Sequence, residues 1–271
     1  GQAGCRCACV RRFPAGAWRA AFRAVQQRHP LLSTYIGTDA QMNTAFYSEP
    51  DAKIPLREVE QEATSWQAEV AREIATPFDW SSPPLLRATV LQGGHGSTLI
   101  LVAHHSVIDG MGSAWLIEDL LRALSGASLT PLPLVQSLEV LIESDMTSAA
   151  VLPAAPLAPV PKRFRPGAAE VPHIDALALP VELTCQLIAR ARIEQTSVHG
   201  AVAAAVHEAG RRLSREWCTR PIRTVTPIDV RYLAGEVGTA NGVYITQTIT
   251  VDDQPRGTSF WNAARKVKRD L

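Results

Sequence analysis

Two adjacent histidines, followed by an aspartate and a glycine, are the residues in this sequence best suited to chemistry. The segment reads His104-His105-Ser106-Val107-Ile108-Asp109-Gly110. An unperturbed imidazole has a pKa of about 6.5, so it can take a proton from an attacking group and return it. The carboxylate of Asp109 can fold back to fix the loop or pair with an arginine, and Gly110 is expected to allow a backbone geometry that a β-carbon would forbid. The pattern predicts a rigid turn that presents a general base.

The histidine pair lies between a predicted strand and a predicted helix. Residues 98–103 are apolar on both faces, as is typical of a strand covered by helices, and with residues 85–91 they predict a β-hairpin. After Gly110, apolar residues recur at helical spacing until Gly126 ends the pattern. The sequence therefore places both histidines in a strand-to-helix turn.

The same periodicities predict the other elements of an α/β fold. A last strand alternates strictly, and we expect its threonine side chains to lie on the wetter face. Helices are predicted from Pro14 to His29, over residues 60–75, over Glu182–Ile193 and Ser197–Leu213, and after Thr258 or Ser259; strands are predicted over Ile222–Thr226 and Val243–Val251.

Composition narrows the class of protein. The chain has 271 residues, 46% hydrophobic and 20% charged, with a formal net charge of +1, which is typical of a globular protein. The charge balance gives no reason to expect binding to nucleic acid or an anionic membrane. No membrane span or signal peptide is predicted. Five cysteines are an odd number for a disulfide framework, so we expect a cytoplasmic protein with free thiols.

A proline-rich stretch suggests how the chain is organised. Six prolines lie between Pro153 and Pro172 with alanines among them, a composition that favours extended chain. We therefore expect an N-terminal subdomain over residues 1–150, a linker over 151–175 and a C-terminal subdomain over 176–271.

The heptapeptide resembles the His-His-x-x-x-Asp-Gly signature of the chloramphenicol acetyltransferase-like superfamily. This superfamily includes nonribosomal peptide condensation domains, plant-type acyltransferases and mycobacterial polyketide-associated acyltransferases. Further similarity is found in Arg28-His29-Pro30-Leu31-Leu32, Ser197-Val198-His199-Gly200-Ala201 and Pro227-Ile228-Asp229-Val230-Arg231. The plant Asp-Phe-Gly-Trp-Gly motif does not occur, which favours the condensation-domain and alcohol acyltransferase branch. The resemblance implies a two-layer sandwich with a partial C-terminal subdomain, since family members are longer.

By resemblance, the chain moves an acyl group from a thioester to an alcohol or amine. His105 would be the general base, while His104 would mainly pack and form hydrogen bonds. Asp109 would be structural and paired with Arg231 across the two halves of a tunnel in which donor and acceptor meet. The donor would be acyl-CoA or the phosphopantetheinyl thioester of a carrier protein, with no metal and no bound cofactor.

The resemblance also suggests residues that contact substrate. These are Gly110 in the turn, Arg231, and Asn241, which could steady the oxyanion. The residues give no indication of the acyl chain, the acceptor or the oligomeric state.

Other interpretations stay open. A non-catalytic scaffold that binds a carrier protein would need no general base. His104, His105 and Asp109 could instead hold a metal, although no nearby ligand completes a zinc site. Cys5, Cys7 and Cys9 alternate, so their thiols would face one side and could hold a soft metal; a fraying or artefactual terminus is the simpler interpretation. On that interpretation the chain lacks the family's first strand.

Overall fold

The computed structural model describes residues 2–141, 171–233, 237–253 and 258–271. The chain divides into two compact units. The first unit contains Gly1–Asp175 together with Val230–Tyr244, and the second contains Ala176–Asp229 and Ile245–Leu271.

A four-stranded sheet forms the centre of the first unit. Its strands lie in the order β1-β6-β5-β4. The pairs β1–β6 and β5–β6 are antiparallel, whereas β4 and β5 are parallel. These strands are β1 (Gln2–Cys9), β4 (Leu56–Glu60), β5 (Leu86–Gln92) and β6 (Ser97–His104), and a separate hairpin is formed by β2 (Thr34–Thr38) and β3 (Thr44–Ser48).

Helices cover both faces of this sheet, as the apolar pattern of β6 predicts. Leu99, Leu101 and Ala103 of β6 pack into the main core. That core also holds residues of α1 (Ala15–Arg28) and α3 (Gly110–Leu124). Ile100 and Val102 point to the other face, where they pack with residues of α2 (Trp66–Ala75). A strand buried on both sides cannot shift register without exposing apolar side chains, so its end is held firmly. A short helix, α4 (Leu138–Leu141), is also described.

The N-terminal segment is a strand, so its interpretation as a fraying or artefactual terminus is wrong. All eight residues of β1 pair with β6, in a register that sets Cys5 opposite Leu101 and Cys7 opposite Leu99. The alternation does place Cys5, Cys7 and Cys9 on one side, and that side packs against the main core. Burial raises the pKa of the Cys5 thiol to about 11. The three thiols therefore act as small apolar residues of the sheet.

The second unit packs helices on a two-stranded antiparallel ribbon. Its elements are α5 (Val181–Ile193), α6 (Val198–Leu213), β7 (Ile222–Asp229), β8 (Ile245–Asp252) and α7 (Phe260–Asp270). These bounds confirm the predicted helices, and Ser197 caps α6 by accepting a hydrogen bond from the Gly200 amide at 3.0 Å.

The expected wet face of β8 is the buried one, which reverses the sequence-based prediction. Thr250 and Asp252 are buried, whereas Ile249 on the other face is 52% exposed. Asp252 determines this orientation, because its carboxylate accepts hydrogen bonds from His207 of α6 at 3.0 Å and from Arg211 at 2.9 Å. A buried carboxylate without such partners would carry a large desolvation cost.

The two units differ from the expected division in one segment. Residues 230–244 pack with the first unit, although the sequence places them in the C-terminal subdomain. The Val230 amide donates to the Tyr244 carbonyl at 2.9 Å, which closes the two ends of this excursion. Most of the predicted linker, residues 151–170, lies outside the described residues.

Candidate functional site

The histidine turn is built between two rigid elements. β6 ends at His104 and α3 begins at Gly110. Within the turn, the Val107 amide donates to the His104 carbonyl at 3.2 Å. The side chains of Val107 and Ile108 are buried in the main core. These anchors hold the intervening residues in one conformation.

His104 is a packed and hydrogen-bonded histidine, as the resemblance implied. Its ring lies 5.5 Å from that of Trp80 and 6.4 Å from that of Phe78. Its Nδ1 lies 2.7 Å from Ser106 Oγ and accepts from the Ser106 amide at 3.4 Å. An amide can only donate, so Nδ1 is the acceptor and the neutral ring carries its proton on Nε2. Burial lowers the pKa of His104, which favours this neutral form.

His105 differs from its neighbour in having its imidazole available. It lies in the turn just beyond the strand and is half-buried. Among the residues that the structure describes, none forms a hydrogen bond or ion pair with this ring. Both ring nitrogens can therefore accept or donate a proton to an incoming group.

The carboxylate of Asp109 is fully occupied. The side chain is 0% exposed. Oδ1 accepts from the Gly112 amide at 2.8 Å and from Arg231 Nη2 at 2.9 Å. Oδ2 accepts from the Tyr244 amide at 3.0 Å and from Arg231 Nη1 at 2.8 Å. With four donors around it, Asp109 caps α3 and holds the turn, and it has no position left for a substrate.

Arg231 forms the predicted pair with Asp109 within the first unit. The guanidinium meets the carboxylate through two parallel hydrogen bonds, the geometry that gives the strongest pairs. Its Cζ atom lies 4.9 Å from the ring centre of Trp115 and 4.9 Å from that of Tyr244. Arg231 is thus enclosed by one carboxylate and two aromatic faces, and its expected contact with substrate stays a prediction.

Gly110 is not required for the reason that the sequence suggested. It does not adopt a left-handed backbone conformation, and a β-carbon built there would meet no atom within 4 Å. Gly112 is the constrained glycine, since a β-carbon there would lie 3.0 Å from Ile108 Cγ1 and 3.3 Å from Asp109 Oδ1. The close approach belongs to the helix turn that binds the carboxylate, whereas Gly110 is exposed.

Asn241 is buried in a small cavity. The residue is 4% exposed. The residues that line the cavity include Asn241 and His29 but neither His104 nor His105. This placement does not support the expected role of Asn241 at the oxyanion, which stays a prediction.

The described residues also bear on the metal and membrane alternatives. They contain no group of three or more His, Cys, Asp or Glu side chains placed to hold a metal ion. The histidine turn and the three N-terminal thiols are both within the described part of the chain. In the same part, no helix has the length and apolar character needed to cross a bilayer.

Sequence reasoning missed the aromatic residues around the turn. Trp80 and Phe78 flank His104, while Trp115 and Tyr244 cover Arg231. A β-carbon at Gly242 would lie 2.5 Å from the Tyr244 ring, so glycine is needed where this ring approaches the chain. Trp115 follows Gly112 by one helical turn and could have been placed by periodicity, but the contacts of Tyr244 depend on a distant segment.

Comparison with known proteins agrees with this architecture. The family model for the condensation domain matches residues 11–137. Bacitracin synthase 3 of Bacillus licheniformis is 31% identical over 114 residues, which cover 41% of this chain and 2% of that protein. The AMB antimetabolite synthetase AmbE of Pseudomonas aeruginosa is 45% identical over 56 residues, or 20% of this chain and 3% of that protein. The matched segments are thus small parts of much longer synthetases.

Solved structures share the fold over the whole chain. The first condensation domain of the calcium-dependent antibiotic synthetase superposes with a TM-score of 0.74 at 19% identity, covering 99% of this chain and 68% of that one. Polyketide synthase associated protein 5 of Mycobacterium tuberculosis gives a TM-score of 0.69 at 21% identity, covering 100% of this chain and 68% of that one. These findings confirm that the chain has the chloramphenicol acetyltransferase-like α/β fold and that its N-terminal half carries a condensation-domain sequence.

Proposed function

We propose that this chain acts in a condensation reaction, in which an amine attacks a carrier-bound acyl thioester and an amide forms. Condensation domains of nonribosomal peptide synthetases catalyse amide bond formation, and the matched residues 11–137 include the whole histidine turn. The observation that carries the proposal is the contrast within this turn. His104 and Asp109 are occupied by neighbours, whereas the half-buried ring of His105 is available for proton transfer.

His105 is the general base of the proposed reaction. The acceptor nitrogen attacks the thioester carbonyl carbon while one of its protons passes to the His105 imidazole. The tetrahedral intermediate then breaks its carbon–sulfur bond, and the sulfur leaves as a thiol that recovers the proton. No covalent enzyme intermediate is needed, since the acyl group passes directly between the two substrates. Proton transfer of this kind typically contributes about 10²–10⁴-fold in rate.

The remaining residues of the turn hold His105 in position. Asp109 and Arg231 fix the start of α3, and a small displacement of a catalytic base has a large effect on rate. Gly110 carries no side chain beside the base and is exposed, which favours a role in leaving space for substrate. Asp109 and Arg231 are therefore positioning residues, and Gly110 is proposed to border the substrate path.

A carrier-protein pantetheine is the proposed donor. The sequence relatives are named as peptide synthases and synthetases, including Tyrocidine synthase 3 of Brevibacillus parabrevis. This context favours an amine acceptor and a carrier-bound thioester over acyl-CoA and an alcohol. The five cysteines are free thiols, in keeping with the proposed reaction in the cytoplasm.

A donor and acceptor panel tests the proposal. The chain is incubated with matched acyl groups on a phosphopantetheinylated carrier protein or on CoA, and with an amine or an alcohol acceptor. Mass spectrometry of the product and titration of released thiol measure transfer. We expect acceptor-dependent amide formation from the carrier-bound donor. Thioester binding without product, with every donor and acceptor pair, would contradict the proposal and favour the scaffold interpretation.

A further inference from the structure

A small cavity in the first unit brings together polar groups that lack partners. Its lining includes His29, at the end of α1, and Asn241, in the segment that supplies Arg231 and Tyr244. Apolar residues complete the lining: Leu31, Leu132, Leu134 and Val135. The volume open to the centre of a water-sized sphere is about 10 Å³, which is about the space that one water molecule needs.

The protonation state of His29 leaves one ring nitrogen as an acceptor. Its Nε2 lies 3.0 Å from Asp119 Oδ2, and the ring is 1% exposed. A carboxylate accepts hydrogen bonds, so Nε2 carries a proton, while burial lowers the pKa of His29 and favours the neutral ring. Nδ1 then has a lone pair, and no protein group donates to it among the described residues.

Asn241 presents the complementary groups in the same cavity. Both Oδ1 and Nδ2 of its side chain are buried and have no protein partner among the described residues. Reversing the amide would not remove this deficit, because both ends lack partners. Buried polar atoms without protein partners are usually satisfied by ordered water.

We infer that this cavity binds one water molecule, which donates a hydrogen bond to His29 Nδ1 and is held by the side-chain amide of Asn241. The water would join α1 to the segment 237–244 beside a direct contact, since Arg28 donates to Thr239 Oγ1 at 3.5 Å. Tyr244 at the end of this segment donates its amide proton to Asp109. Asn241 is thereby assigned a structural water and not a substrate atom.

A high-resolution crystal structure of the whole chain tests the site directly. We expect one density peak within hydrogen-bonding distance of both His29 Nδ1 and the Asn241 side chain, about 2.7–3.2 Å. A well-ordered cavity without density would overturn the inference.

Thermal unfolding of two variants gives a second test. Asn241→Leu replaces the amide by an apolar group of similar size, and we expect a lower unfolding midpoint because His29 Nδ1 loses its water-mediated partner. Thr250→Val is the matched control, since Thr250 Oγ1 is also buried without a partner but lines no part of this cavity. The control should leave the midpoint unchanged or raise it. If Asn241→Leu raises the midpoint as well, the cavity is dry and the inference fails.

Discussion

The pair of Asp109 and Arg231 should be one of the strongest single contributions to the stability of the first unit. Both side chains are buried, at 0% and 7% exposure, and two hydrogen bonds join them. Asp109→Asn keeps the shape of the side chain but removes its charge and turns an amide group towards former donors. The variant leaves the guanidinium of Arg231 buried without a counter-charge.

The expected magnitude follows from this geometry. Removing one partner of a buried ion pair costs about 3–5 kcal/mol, a large share of a typical unfolding free energy of about 5–15 kcal/mol. Arg231→Met keeps the aliphatic stem between Trp115 and Tyr244, so it should cost a similar amount through the unpaired carboxylate. The double variant removes both charges, and its loss should be smaller than the sum of the single losses by about 2 kcal/mol or more.

Urea unfolding of the four proteins measures this coupling. The exposed pair of Glu216 and Arg220, with side chains 64% and 74% exposed, serves as a control cycle, for which coupling below about 1 kcal/mol is expected. If the losses from Asp109→Asn and Arg231→Met add within about 0.5 kcal/mol, the two residues do not form a coupled buried pair. The proposed support of the histidine turn would then be refuted.

Three further predictions concern other parts of the chain. Gly112→Ala should lower the unfolding midpoint because its β-carbon crowds the capped turn, whereas Gly110→Ala should leave the midpoint unchanged and lower only turnover; equal midpoints for both variants would contradict this. Burial lowers the pKa of His207, so stability should fall as pH drops from about 6.5, and His207→Gln should flatten that slope in chemical denaturation at several pH values. Burial raises the pKa of Glu73, but hydrogen bonds from Arg87 and Thr89 and nearby arginine charges lower it overall; Glu73→Gln should therefore destabilise the chain at neutral pH, and the difference from wild type should vanish as acid titrates the carboxylate.

Local periodicity was sufficient to predict much of the architecture. The apolar run of β6 and the helical spacing after Gly110 predicted the strand-to-helix turn, which the structure confirms. Ser197 was recognised as a cap because capping depends on neighbours three residues apart. These features are determined by short-range geometry that one sequence can show.

Features set by distant residues were predicted less well. The strand β1 was missed because its stability comes from pairing with β6, almost a hundred residues away. The buried face of β8 was misassigned because Asp252 must face His207 and Arg211, and alternation alone does not say which face is covered. The sequence could suggest Arg231 as the partner of Asp109 only through family resemblance, while the enclosing aromatic rings required the three-dimensional structure.

The most direct test of the central claim compares His105→Ala with His104→Ala in carrier-bound acyl transfer. Both variants and the wild type are assayed at equal concentrations of folded protein, verified by unfolding curves, with released thiol and product measured together. His105→Ala should keep its fold and lose about 10²–10⁴-fold in turnover, whereas His104→Ala should lose stability through its contacts with Ser106 and Trp80. An unchanged rate in folded His105→Ala would show that His105 is not the base.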